Sequence, residues 1–304
     1  MKTAAYGPSS LFLGLSCEEP VMGRAQLLAE CAGVSGDTRH MRPLLSQTAM
    51  ATDRFAVRCW TEPGSLDVAM QDALHWSMQN GKLRIAAIDG CTPMIQTPEI
   101  AGANGASYAA ALTNAALHAG GLVPELLEQV NAHLYELGPQ LVAAARPSAT
   151  AAVAEITGGE GFMYVDAWAA GGAQTWVLTA DGWEMLVGGS SCAVATKEEW
   201  APRRDALKAS GLPFVELQQL EAEFYDNPAL FVNHTPLGRF ESLVLQHRSA
   251  RAQAVVCATD GALLTAERLD DLDGWIMKLR DVEAQGVARL KATDDLAVVA
   301  VTLG

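Results

Sequence analysis

Basic residues are scarce in this chain of 304 residues, and no run of them occurs. Lys and Arg number 21 against 35 Asp and Glu, which gives a formal net charge of −14. Proteins that bind nucleic acid need clustered Lys and Arg to meet the phosphate backbone. We therefore expect no nucleic-acid partner. The acidic surface suits a protein that concentrates cations, but solubility alone would explain it equally well.

The sequence also lacks long apolar runs and paired cysteines. A membrane-spanning helix needs about 20 apolar residues, whereas the apolar piece at residues 11–15 is short and interrupted by Gly14. None of the six cysteines forms a C-x-x-C pair, and no His cluster accompanies them at zinc-ligand spacing. We therefore expect a cytoplasmic protein with reduced cysteines in its core and no contact with a membrane.

Aromatic residues make up only 6% of the chain, whereas hydrophobic residues make up 50%. Ala, Val and Leu supply most of these, which suits helices packed on sheets. Because the predicted strands and helices come in blocks and do not alternate strictly, the pattern favours the α+β class. Apolar runs predict strands at residues 55–60, 83–88, 149–156, 162–167, 175–178, 254–259 and 297–301. Helical spacing and stop signals predict helices at residues 103–119, from Pro124, at 198–226 and at 266–289.

The first part of the chain differs from the rest. Residues 1–52 are mixed and rich in turn formers, and we expect them to form an N-terminal extension that packs on the core. From residue 53 to residue 304 no internal repeat occurs, and no linker rich in Pro, Gly or Ser marks a second boundary. The simplest prediction is one extension, residues 1–52, followed by one catalytic domain, residues 53–304.

Aspartates follow two of the predicted buried strands, at residues 83–88 and 254–259, and others precede the first of these strands and the last strand of the chain. Strand ends place side chains at the rim of a sheet, and several carboxylates that meet there form an oxygen-only site suited to Mg²⁺ or Mn²⁺. A single Asp-Gly pair is most often only a turn, so the order of all four positions gives the pattern its specificity. These positions are Asp72, Asp89-Gly90, Asp260-Gly261 and Asp294-Asp295.

In this order the motifs resemble those of the PP2C-type (PPM family) metal-dependent serine/threonine phosphatases. The matching segments are Gln71-Asp72-Ala73, Ile88-Asp89-Gly90, Gly105-Ala106-Ser107, Ser148-Ala149-Thr150-Ala151, Thr259-Asp260-Gly261 and Asp294-Asp295-Leu296. The resemblance covers roughly residues 55–303 and leaves the N-terminal fifty residues unmatched. It implies a four-layer α-β-β-α sandwich in which two sheets pack face to face at the centre.

The resemblance also implies a centre with two Mn²⁺ or Mg²⁺ ions. Asp89 would bridge the ions, and the carbonyl of Gly90 would bind one of them. Asp260 and Asp294 would hold the second ion, and Asp72 would bind or orient metal-bound water. The implied reaction is hydrolysis of phosphoserine or phosphothreonine by a water that the two ions activate. The implied partner is thus a phosphorylated protein.

Three positions depart from the family pattern around these aspartates. Asp67 stands where the family usually has an arginine that holds the substrate phosphate, and Arg58 or Arg84 could substitute for it. Cys91 stands where some members carry a histidine that protonates the leaving group, and Gly172 where a hairpin aspartate holds an extra metal. Two alternatives therefore stay open: a phosphatase of narrow specificity or of a small phosphorylated metabolite, and a non-catalytic PP2C-fold regulatory or binding protein.

Overall fold

The computed structural model describes residues 46–51, 54–64, 70–92, 99–138, 145–189, 233–284 and 294–304, with isolated positions between 139 and 232. The chain divides into two compact units, residues 1–42 and 43–304, and every described residue lies in the second unit. The predicted extension, residues 1–52, therefore lies mostly outside the described residues. Strand β1, Ser46–Ala51, falls within it and pairs with strand β2, Phe55–Glu62. The extension and its boundary at residue 53 stay predictions.

The described residues form two antiparallel sheets. In spatial order the first sheet contains β1, β2, β11 (Leu296–Leu303), β10 (Ala254–Ala258), β7 (Gln174–Thr179) and β8 (Gly182–Val187). The second contains β3 (Ala73–Gln79), β4 (Lys82–Cys91), β5 (Ser148–Gly158), β6 (Met163–Ala170) and β9 (Gln246–Ala252).

Helices cover the outer face of each sheet. Helices α1, Gly105–Ala119, and α2, Val123–Glu136, pack on the second sheet. The short helix α3, Ala266–Leu269, and helix α4, Leu272–Ala284, pack on the first sheet. A third apolar cluster fills the space between the two sheets. The predicted α+β class and the four-layer α-β-β-α sandwich are therefore confirmed.

Strand β4 shows how the sequence builds these layers and where it places the first aspartate. Leu83, Ile85 and Ala87 lie in the cluster between the sheets, whereas Ala86 and Ile88 lie in the cluster under α1 and α2. Both faces are buried, which explains the continuous apolar run in the sequence. Side chains alternate along a strand, so Asp89 continues the row of Ile85 and Ala87. Its carboxylate therefore lies at the end of the space between the sheets.

The helix predicted at residues 266–289 is wrong as a single element, because α3 and α4 are separate helices. The break lies at Asp270 and Asp271. The Asp271 carboxylate accepts a hydrogen bond from the backbone N–H of Gly274 at 3.0 Å, and its carbonyl accepts one from Trp275 at 2.8 Å. Asp271 therefore begins a new helix as a capping residue. Most of the helix predicted at residues 198–226 lies outside the described residues.

Among the helices that the structure describes, none combines the length and the apolar character that crossing a membrane requires.

Candidate active site

Gly90 brings three segments together at the end of β4. A Cβ atom at this position would lie 2.5 Å from the carbonyl oxygen of Ala106 in α1 and 2.8 Å from that of Gln71. The Gly90 N–H donates a hydrogen bond to the same Gln71 carbonyl at 3.2 Å. Because the glycine has no side chain, the start of α1 and the segment before β3 approach the strand closely. The residue that follows Gln71 is Asp72, so this contact carries Asp72 to the strand end that holds Asp89.

Asp72 is a buried carboxylate among other carboxylates. Its Oδ2 atom is buried and has no hydrogen-bond partner. Burial raises the pKa of Asp72 well above its usual range, and the charges of Asp89, Asp295 and Asp294 raise it further. A hydrogen bond from the Thr259 side chain opposes the shift. Asp72, which precedes β3, therefore lies near Asp89 of β4 and near Asp294 and Asp295, which precede β11.

Asp295 holds the connection between β2 and β3 in place, a role that the sequence did not suggest. Its Oδ1 atom accepts a hydrogen bond from the Gly64 N–H at 2.7 Å, and its Oδ2 atom accepts one from the Gln71 N–H at 2.5 Å. The neighbouring Asp294 has its carbonyl bound by Arg280 of α4 at 2.9 Å. The two hydrogen bonds join the residues on both sides of this connection to the start of β11. Asp295 is therefore a positioning residue for the other aspartates.

Asp260 approaches the same site from the end of β10. It begins a single 3₁₀ turn, Asp260–Ala262, and its side chain is exposed. The following Gly261 lies so close to β11 that a Cβ atom would stand 1.8 Å from the carbonyl oxygen of Asp295. Burial raises the pKa of Cys91 to about 12, and the charges of Asp89 and Asp260 contribute to this shift. Asp260 and Asp89 therefore act on the same thiol.

We call Asp72, Asp89, Asp260, Asp294 and Asp295 the carboxylate cluster. Within the residues described, no three His, Cys, Asp or Glu side chains stand close enough to hold a metal ion as they are. The chemistry of the cluster nevertheless fits a hard divalent cation, because its donors are carboxylate oxygens. A cation would also relieve the repulsion that raises the pKa of Asp72 and would give its orphaned Oδ2 atom a partner.

Comparisons with known proteins were made by sequence and by structure. No family model matches the chain, and no curated protein matches it by sequence. Solved structures do match. RsbX, in a crystal structure with magnesium, aligns with a TM-score of 0.52 and 11% identity, covering 85% of this chain and 100% of its own. A serine/threonine phosphatase of S. agalactiae aligns with a TM-score of 0.51 and 16% identity, covering 82% and 100%.

PppA, described as a key regulatory component of T6SS in Pseudomonas aeruginosa, aligns with a TM-score of 0.51 and 13% identity, covering 82% of this chain and 98% of its own. The chain has the PP2C-type phosphatase fold. The resemblance that the aspartate motifs indicated is therefore confirmed at the level of the fold.

The two arginines proposed as phosphate ligands lie elsewhere in this PP2C-type fold. Arg58 pairs with Asp273 of α4 at 2.5 Å and stacks over Trp60. Arg84 is buried on the helix side of β4, on the face opposite to Asp89, and pairs with Glu155 at 2.7 Å. Both guanidinium groups have partners away from the carboxylate cluster. The structure therefore does not bring either arginine to the predicted site.

The other departures from the PP2C pattern are visible in the structure. Cys91 ends β4, and with a pKa of about 12 its thiol holds its proton too tightly to act as a general acid near neutral pH. Gly172 lies in the turn between β6 and β7, which therefore offers no carboxylate at this position. The differences concern proton donation and an accessory cation, whereas the four predicted aspartates are all present.

We expect Asp72→Asn to raise the unfolding temperature of the cation-free protein at pH 7. The folded-state pKa of Asp72 is raised, so the unfolded chain loses its proton first, and stability falls as the pH rises from about 4 towards the folded-state pKa. Asparagine removes this loss. The gain should therefore shrink towards pH 4, where both states of the native chain are protonated.

Thermal unfolding with a chelator between pH 4 and 8 measures this effect. Asp181→Asn is the control, because Asp181 is exposed in the turn between β7 and β8. It should leave the unfolding temperature unchanged. An Asp72→Asn protein that is less stable than the native chain at pH 7 would show that repulsion does not govern this carboxylate.

Proposed function

We propose that this protein is a divalent-cation-dependent phosphatase that hydrolyses phosphoserine and phosphothreonine in proteins. The observation that carries the proposal is that Asp72 is buried near enough to Asp89, Asp295 and Asp294 for their charges to raise its pKa, while Asp260 begins the turn whose Gly261 abuts Asp295. These aspartates come from separate segments, and the Oδ2 atom of the buried Asp72 has no hydrogen-bond partner. The serine/threonine phosphatase of S. agalactiae, which shares the fold, supports the same reaction class.

The proposal assigns a task to each member of the site. Asp89, the Gly90 carbonyl, Asp260 and Asp294 would hold two Mn²⁺ or Mg²⁺ ions, and Asp72 would orient a water molecule. When bound, such cations lower the pKa of water and neutralise charge on a phosphoryl group. In the hydrolysis, the oxygen of a water molecule would bond to phosphorus as the bond between phosphorus and the serine or threonine oxygen breaks. One proton of the water would pass to that oxygen, giving inorganic phosphate and the free hydroxyl.

The surrounding residues keep these aspartates in position. Asp295 ties the segments that carry Gly64 and Gln71 to the start of β11. Thr150 of β5 pairs with Asp89 in the strand register, and its hydroxyl lies 3.5 Å from the Asp89 carboxylate. Cys91 stays protonated beside them and is not assigned the role of proton donor. The site would thus act through positioning and charge, with no covalent phosphoenzyme.

Phosphorylated proteins are the partners that we propose, and a cytoplasmic location stays a prediction. A second candidate is a non-catalytic regulatory protein on the same fold. It is favoured by Asp67, which stands where the resemblance leads one to expect a phosphate-binding arginine, and by the described carboxylates, no three of which form a complete cation site as they stand. A phosphatase of a small phosphorylated metabolite is the narrower form of the first candidate.

Hydrolysis of p-nitrophenyl phosphate and of phosphoserine, phosphothreonine and phosphotyrosine peptides tests the proposal. We expect activity that requires Mn²⁺ or Mg²⁺ and is lost in chelator. Asp89→Ala and Asp260→Ala should lower it by about 100-fold or more. The exposed Asp181→Ala is the matched control and should retain full activity.

Two outcomes would contradict the proposal or narrow it. If the folded native chain shows no cation-dependent hydrolysis at saturating Mn²⁺, the regulatory alternative replaces the enzyme. If p-nitrophenyl phosphate is hydrolysed but none of the peptides is, the substrate is a small phosphorylated molecule.

A further inference from the structure

Arg239 lies beside the strands that end at the carboxylate cluster. The residue two positions before it, Leu237, exchanges two backbone hydrogen bonds with Ala149 of β5, at 2.8 and 3.2 Å. On its other side Ala149 pairs with Gly90 of β4. The segment that carries Arg239 therefore runs along β5 at the end of the sheet where Asp89 is placed.

The backbone around Arg239 is fixed on both sides. The Asn131 side chain of α2 accepts a hydrogen bond from the Gly238 N–H at 2.8 Å and donates one to the Phe240 carbonyl at 3.1 Å. The carbonyl of Arg239 itself accepts a hydrogen bond from Arg146 at 2.6 Å. Asn131 is almost fully buried. Hydrogen bonds therefore fix the backbone from Gly238 to Phe240.

The side chain of Arg239, in contrast, has no hydrogen bond or ion pair to any residue that the structure describes. It is half-buried, and its Nε atom is buried without a hydrogen-bond partner. The centre of the Phe231 ring lies 5.9 Å from its guanidinium carbon. Arg58 and Arg84 differ, because both form ion pairs with carboxylates. Arg239 therefore keeps its hydrogen-bonding capacity for another group.

Arg239 lies at the same end of the second sheet as Asp89. Leu237 stands opposite Ala149, and Ala149 stands opposite Gly90, the residue that follows Asp89. This register places Arg239 beside the strand end where a phosphoryl group would be hydrolysed.

We propose that Arg239 binds the phosphoryl oxygens of the substrate. It would thereby replace the phosphate-binding arginine that the resemblance leads one to expect at the position of Asp67. This inference rests on the proposed function and names the residue that recognises the substrate at that site. A guanidinium group presents several N–H donors in a plane that matches phosphate oxygens, and its charge is permanent. Because the backbone of Arg239 is already held in place, less conformational freedom is lost when it binds a phosphate.

Two measurements test this assignment in the presence of Mn²⁺: calorimetric binding of inorganic phosphate, and KM and kcat for p-nitrophenyl phosphate. Arg239→Met should weaken phosphate binding and raise KM by about 10- to 100-fold, because charge-assisted hydrogen bonds are lost. Arg239→Lys keeps the charge without the planar donors, and its values should lie between those of the native chain and Arg239→Met. Arg58→Met is the matched control and should bind phosphate like the native chain.

The outcomes separate this inference from the proposed function. If the native chain hydrolyses phosphate esters but Arg239→Met has unchanged KM and phosphate affinity, the assignment is wrong and the phosphatase stands. If phosphate binding depends on Arg239 but nothing is hydrolysed, the assignment stands and the phosphatase is wrong. A fall in kcat alone, with KM and phosphate affinity unchanged, would also overturn the assignment. Arg239→Lys supplies the same comparison if Arg239→Met does not fold.

Discussion

Replacing Arg84 with methionine is expected to lower the free energy of unfolding by about 3–5 kcal/mol, the usual cost of removing one partner of a buried ion pair. The Arg84 guanidinium is buried under the end of α1, where it donates to the carbonyls of Leu117 at 3.1 Å and Gly121 at 2.6 Å. It also pairs with Glu155 of β5 at 2.7 Å. Methionine fills much of the same space but removes the guanidinium donor from all three acceptors, and Gly121 is the acceptor with no second donor among the described residues.

Lys82→Met is the matched control, because Lys82 pairs with the same Glu155 carboxylate at 3.3 Å. The Lys82 side chain is 48% exposed, whereas that of Arg84 is 3% exposed. Exposed ion pairs contribute at most about 1 kcal/mol. Chemical denaturation should therefore separate the two variants clearly. If both lower the free energy of unfolding equally, burial does not set the strength of this network.

The same variant tests where the phosphate binds. Arg84 lies on the helix face of β4 and Asp89 on the face between the sheets. We therefore expect folded Arg84→Met to keep the native KM for p-nitrophenyl phosphate. A raised KM in the folded variant would restore Arg84 as a substrate ligand and contradict the placement of its guanidinium under α1.

Strand β4 was predictable from the sequence, whereas strand β9 was not. Strand β4 is buried on both faces, so a continuous apolar run marks it. Strand β9 has the sequence Gln-His-Arg-Ser-Ala-Arg-Ala and lies at the edge of the second sheet, where most of its side chains are partly or fully exposed. Its backbone hydrogen bonds to β6 hold it in the sheet. Such pairing leaves no pattern in the side chains, so only the structure shows it.

Some residues of the candidate site were likewise predictable from the sequence, whereas others were not. Asp72, Asp89, Asp260 and Asp294 could be proposed because each stands next to a recognisable strand, and their order along the chain is informative. The positioning role of Asp295 was not predictable, because it depends on backbone N–H groups more than 220 positions away. The role proposed for Arg239 was not predictable for the same reason. Asn131 and Ala149 hold the segment that carries Arg239 through contacts between parts of the chain that are distant in sequence.

The structure explains why glycine follows aspartate in the two Asp-Gly pairs, and the explanation differs from the turn that the sequence suggested. Asp-Gly is a common turn dipeptide because glycine accepts a positive φ angle. Neither Gly90 nor Gly261 has a positive φ. Glycine is required at both positions because a Cβ atom on either would collide with the backbone of a neighbouring segment. The dipeptide thus marks a place where segments carrying aspartates approach closely.

Gly261→Ala is therefore expected to destabilise the protein by about 3 kcal/mol or more and to lower its hydrolytic activity in the folded fraction. The new Cβ atom would lie 1.8 Å from the carbonyl oxygen of Asp295. This oxygen belongs to the backbone, so the clash can be relieved only by moving β10 and β11 apart at their ends. That movement would displace Asp260, Asp294 and Asp295 together.

Gly172→Ala is the control for this substitution. Gly172 has no positive φ, and among the described residues a Cβ atom there would meet the carbonyl oxygen of Gly189 at 3.8 Å, an ordinary contact. It should change the free energy of unfolding by less than about 1 kcal/mol. Denaturation gives the stability of both variants, and Mn²⁺ titration of p-nitrophenyl phosphate hydrolysis gives the apparent cation affinity. A Gly261→Ala protein with native stability and native cation dependence would show that the close approach of β10 and β11 does not assemble the carboxylate cluster.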